Sequence, residues 1–142
     1  MKLIIINNTS FGTSGGHLKY LSNIIPLLDK NSSIESILII SPDFYKFSFN
    51  IQLSGKVVFK TFKPLSIFLG QKCSYELRIL LDEYSPDIIF FPNERLINYN
   101  KIPSIIMVRN MEPFISIKNN LIRDKVVNYI KRISTIRSCK IA

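Results

Sequence analysis

The run Ile105-Ile106-Met107-Val108 leads into Arg109-Asn110-Met111-Glu112-Pro113-Phe114, so an apolar stretch ends in a guanidinium, an amide and a carboxylate. The planar fork of Arg109 suits a phosphate or a carboxylate. Asn110 could bond sugar hydroxyls or fix the loop. Glu112 could serve as a base or pair with Arg109. A second group is Gly15-Gly16 followed by His17, the one histidine of the chain. Two glycines ahead of a helix let an anion approach free backbone N–H groups and the positive end of the helix dipole. They could equally serve chain geometry alone, because the spacing matches neither G-x-G-x-x-G nor a P-loop. Histidine is the side chain whose unperturbed pKa lies near neutrality, so His17 could be a catalyst or a cap. Asn93-Glu94-Arg95 is a third group and offers the same choice between ligand contact and a local ion pair. Cys73 and Cys139 stand far apart in a chain with a single histidine, so no metal site is expected.

These groups must be held by regular elements, and the hydrophobic pattern supplies them. Residues 2–7 are a short β-branched run and read as a buried parallel strand. Residues 8–16 are turn formers. From His17 onward, Leu18, Leu21, Ile24, Ile25 and Leu28 recur at steps of three and four, which predicts a helix. Pro26 lies inside it and is expected to kink or shorten it. Further strands are expected at 34–41, 56–62, 88–91 and 104–108, with a loop at 43–55 and helices at 67–84 and 119–140. In the last helix, Leu121, Val126, Ile130 and Ile133 are the candidates to pack on the sheet. Alternating strands and helices imply βαβ units and a doubly wound, mostly parallel sheet flanked by helices, a Rossmann-like α/β fold. Right-handed crossovers then gather loops 7–16, 92–95 and 109–114 at the carboxyl edge of the sheet, where ligands bind in such folds.

The chain has 142 residues, about one domain, and 46% of them are hydrophobic, which excludes a disordered chain. Two separated cysteines fit a reducing cytoplasm rather than a disulfide scaffold. The apolar run after Met1 is too short for a signal peptide, and no stretch is long enough to span a membrane. The formal net charge is +9. From Lys118 onward seven basic residues face Asp124 alone, which points to an anionic partner or to a solvated helix face. A nucleic acid is not expected, because no basic-aromatic platform or recognition helix accompanies the charge.

The order of these pieces resembles family-four retaining glycosyltransferases of the GT-B fold. The carrying features are a first strand, a loop ending in Gly15-Gly16 and the helix HLKYLSNIIPLL. They continue with SPDIIFF, whose Pro86-Asp87 opens the fourth strand, and PSIIMVRNMEPF, where the fifth strand ends in a short polar motif. The resemblance covers nearly the whole chain. It implies one of the two Rossmann-like domains of such an enzyme, the N-terminal, acceptor-side one, over residues 1–142. It also implies a nucleotide sugar as donor substrate with no cofactor, and a glycan or a lipid-linked acceptor. Gly15 and Gly16 would lie by the donor diphosphate, and His17, Asn93, Glu94 and Glu112 stay candidates for binding substrate or phosphate. Arg109 stands where many members have a histidine near the transferred sugar, and Asn110 matches the asparagine that follows it, so these two are the expected catalytic residues.

The second, donor-binding domain with its Glu-x7-Glu motif has no counterpart in these residues. The expectation is a truncated product or a separate chain as partner, and a 142-residue chain inactive by itself. A cytoplasmic protein, peripheral on the inner face of an anionic membrane, fits the basic C-terminal helix. The alternative is a non-catalytic α/β module that binds a phosphorylated ligand or a protein partner.

Overall fold

A computed structural model of the chain describes residues 1–7, 16–42, 47, 49, 51–61, 73–93, 96–108 and 122–141. The elements are β1 (Lys2–Ile6), α1 (Gly16–Lys30), β2 (Ser36–Ser41), β3 (Val57–Thr61), α2 (Tyr75–Tyr84), β4 (Ile88–Phe91), β5 (Ser104–Ile106) and α3 (Ile122–Ile141). Among the described residues five strands form one sheet in the order β3-β2-β1-β4-β5, and each of their pairings is parallel. The fold is α/β and Rossmann-like.

The aliphatic runs in β1 and β2 follow from their place in the sheet. Both are interior strands, so side chains pointing to either face are buried and must be apolar. Ile4 and Ile6 of β1 join Leu38, Ile40, Ile89 and Phe91 on one face, under Leu77 and Leu81 of α2. Leu3 and Ile5 join Ile37 and Ile39 on the other, under Leu21 and Ile25 of α1.

Each helix owes its limits to local chemistry. α2 starts where Ser74, in extended conformation, accepts a hydrogen bond from the Leu77 N–H at 3.2 Å. It stops at Ser85, a left-handed residue whose N–H donates to the Leu81 carbonyl. Pro86 then prevents continuation. The helix expected over 67–84 therefore begins at Tyr75, and residues 67–72 lie outside the described ones. Pro26 does not shorten α1, which continues to Lys30. Pro26 is itself buried, and tertiary burial of the helix outweighs one lost backbone bond.

The Pro-Asp pair has a structural task. Asp87 accepts a hydrogen bond from the Lys2 N–H through its carboxylate, at 2.6 Å, and donates its own N–H to the Lys2 carbonyl, at 3.0 Å. It thereby sets the start of β4 level with the start of β1. Smaller differences concern strand ends. β2 begins at Ser36 rather than at residue 34, and β5 ends at Ile106 rather than at 108.

α3 differs most from expectation. Val126 and Ile130, expected against the sheet, are exposed. Among the described side chains of this helix Thr135 is the buried one, Asn128, Lys131, Ile133 and Ser134 are half-buried, and Leu121 lies outside the described residues. The Thr135 hydroxyl donates to the Lys131 carbonyl at 3.0 Å, so it enters the interior already satisfied.

Candidate functional site

β2 and β3 lie to one side of β1, and β4 and β5 lie to the other. After β1 the chain passes to the face covered by α1. After β4 it passes to the opposite face, where Leu96, Ile97 and Tyr99 join the core under α2. The two connections part at the carboxyl ends of β1 and β4, which makes this the switch point of the strand order, the usual ligand position in an open parallel sheet.

Three polar side chains occupy this point, and all are buried: Asn7 after β1, Ser41 at the end of β2 and Asn93 after β4. The Asn93 Nδ2 donates to Asn7 Oδ1 at 3.3 Å, and the Asn7 Nδ2 donates to Ser41 Oγ at 3.0 Å. The Asn7 N–H donates to the Ile40 carbonyl at 2.9 Å, which extends the β1–β2 ladder by one step. On the other side the Met107 N–H donates to the Phe91 carbonyl at 2.9 Å. An amide bridge thus links three strand ends and fixes the start of the loops leaving β1 and β4. Buried amides are costly unless bonded, so this network defines the geometry at the switch point closely.

Gly16 is the first residue of α1 and His17 the second. Because α1 returns from the carboxyl end of β1, its N-terminus and free N–H groups lie at the same edge. Asn93, Gly16 and the backbone of His17 are therefore placed on the carboxyl edge. Gly15, Glu94, Arg109, Asn110 and Glu112 lie outside the described residues. β5 ends at Ile106, three residues before Arg109, and runs parallel to β4.

Asn7 and Ser41 were not singled out from the sequence. Their signal was present: each is a polar residue closing an aliphatic run, Leu3 to Ile6 in β1 and Ile37 to Ile40 in β2, where a parallel strand delivers a side chain to the carboxyl edge.

A second polar cluster sits at the opposite edge. Asp82, late in α2, accepts hydrogen bonds from Tyr99 and from Lys101, the latter at 2.7 Å. Those bonds, Lys101 first, hold the Asp82 carboxyl below the usual aspartate range. Burial, and then Asp82 itself, raise the Tyr99 phenol, while Asp82 raises Lys101. A cleft of about 340 Å³ lined by Tyr99, Lys101 and Pro103 lies beside it. The ion pair is exposed, and it ties the connection before β5 to α2. Its position at the amino edge of the sheet puts it away from the switch point.

Among the described residues no group of histidine, cysteine, aspartate and glutamate side chains could hold a metal ion, and no helix is long and apolar enough to cross a membrane. No family model matches the chain, and neither the curated proteins nor the solved structures give a match.

Proposed function

We propose that this chain is the N-terminal, acceptor-side domain of a GT-B-type retaining glycosyltransferase. The observation that carries the reading is the switch point between β1 and β4, with buried Asn7 and Asn93 bonded across it and α1 starting at the same edge. In this reading the glycan or lipid-linked acceptor lies over the carboxyl edge. The diphosphate of a nucleotide sugar meets Gly15, Gly16 and His17, where backbone N–H groups and the helix dipole favour negative charge. Arg109 and Asn110 face the transferred sugar, and Glu94 and Glu112 line the acceptor. The leaving diphosphate is stabilised by these donors as its charge develops, with no metal required. A second α/β domain, in the same or another polypeptide, supplies the rest of the donor site. The protein works in the cytoplasm at the inner face of a membrane.

An isotope-labelled chain titrated with uridine diphosphate glucose and, separately, with inorganic pyrophosphate tests this reading by NMR. The expected result is a set of amide shifts confined to Asn7, Gly15, Gly16, Asn93, Arg109 and Asn110. Shifts confined to the Tyr99–Lys101 cleft, or none at millimolar ligand, would overturn it.

A further inference from the structure

α3 is an amphipathic helix mounted the wrong way round for a core helix. Its residues turn about 100° each, so positions four and three apart share a face. Ile122, Val126, Tyr129, Ile133 and Ile136 form one such stripe, with Ile130 at its margin. Ile122 is 82% exposed, Tyr129 65% and Val126 54%. The opposite side carries Asn128, Lys131 and Thr135, and Thr135 is only 2% exposed. The helix therefore turns Thr135 inward and most of its apolar stripe outward, with Ile133 half-buried. Among the described residues, neither core cluster includes a member of α3.

An outward apolar stripe needs an occupant, and the charges around it select one. Lys125 and Arg137 lie on opposite flanks of the stripe and Lys140 at its end, all three exposed. Asp124, on the far side from the stripe, is the acidic residue of the helix. Cationic residues bordering an apolar face are the signature of a helix that lies in the interface of an anionic bilayer. The mean character of α3 is too polar to cross one, and no helix among the described residues is apolar enough to do so. Its 20 residues give a contact line about 30 Å long.

We infer that α3 rests on an anionic membrane surface, with exposed Ile122, Val126, Tyr129 and Ile136 dipping into the acyl boundary and Lys125, Arg137 and Lys140 at the headgroups. Apolar burial holds the helix and the charges select the leaflet. This inference deepens the membrane placement in the proposed function, but it rests on α3 alone, since neither the switch point nor its residues enter it.

Co-sedimentation of the 142-residue chain with phosphatidylcholine vesicles, with and without about one-third phosphatidylglycerol, tests it. Binding is expected to the anionic vesicles only and to weaken as salt is raised. Each neutralised charge near the leaflet lowers binding about fivefold, so the triple variant Lys125→Gln, Arg137→Gln, Lys140→Gln loses about a hundredfold. These side chains are exposed, and an unchanged melting curve shows that the variant is folded. The chain contains no tryptophan. The variant Tyr129→Trp therefore carries a single reporter, whose emission shifts to the blue when anionic vesicles are added. The inference is overturned by equal binding to neutral vesicles, by no binding at low salt, or by binding without a shift at position 129. It is also overturned by a dimer that Tyr129→Ser dissociates, which would assign the stripe to a second copy.

Discussion

Replacing Asn7 by alanine tests the amide bridge directly. The side chain donates one hydrogen bond to Ser41 and accepts one from Asn93, all within buried surroundings. Two bonds at about 1 kcal/mol each set the lower bound of the cost. Ser41 and Asn93 remain in the interior with one partner fewer, and each such deficit adds on the order of 1 kcal/mol. The expected loss is therefore about 2 to 4 kcal/mol. In a domain of this size that lowers the melting temperature by about 10 °C. Urea unfolding measures it as a lower midpoint with an unchanged slope. The variant Asn93→Ala and the double variant close a thermodynamic cycle, and the coupling between the two positions is expected near about 1 kcal/mol. A single-variant loss below about 0.5 kcal/mol, or purely additive losses, would refute a bonded bridge at the switch point.

Ser54 donates hydrogen bonds to the Asp29 carboxylate from its hydroxyl and its N–H, and the hydroxyl bond is the main cause that lowers the Asp29 pKa. A depressed native value means stability that is complete above the ordinary aspartate value of 3.8 and lost as pH falls through the native one. Thermal melts should therefore separate wild type from Asp29→Asn at neutral pH and converge below that value; a gap that stays constant in acid would refute the linkage. Ser74→Ala removes the cap of α2 and is expected to cost about 1 kcal/mol in urea unfolding, and no change would mean that the Leu77 N–H is satisfied otherwise. On the sugar-transfer reading, donor-binding groups reside in a second domain. The 142-residue chain is accordingly expected to show no turnover with common nucleotide sugars, and turnover above a protein-free control would contradict that assignment.

The strands were legible because parallel interior strands demand apolar residues on both faces. Leu3 to Ile6 and Ile37 to Ile40 satisfy that demand within a few consecutive residues. Pro86-Asp87 marked the start of β4, but the link from Asp87 to Lys2 spans 85 positions and leaves no local trace. The same holds for the bridge: Asn7 meets residues 34 and 86 positions away, while its own neighbourhood reads only as a turn. Periodicity showed which residues of α3 share a face. It carried no information on which face turns inward, because Thr135 is buried through a hydrogen bond to its own helix and the apolar stripe is not. Among the candidate site residues, the sequence placed Asn93 just after the strand that delivers it. Arg109, Asn110 and Glu112 fall outside the described residues.

The central position of β1 also bears on how the chain is made. Of the five strands, the one that leaves the ribosome first is the one that needs a neighbour on each side. β2 follows soon and closes one side. The other side stays open until Ile88–Phe91 has been synthesised, on the order of several seconds later at common elongation rates. During that interval a nascent isoleucine-rich strand exposes a row of unpaired backbone groups, the template on which stray strands from other chains add. Yield in a cell should accordingly respond to the speed at which codons between β2 and β4 are read, and to any chaperone that shields the first strand until its second neighbour arrives.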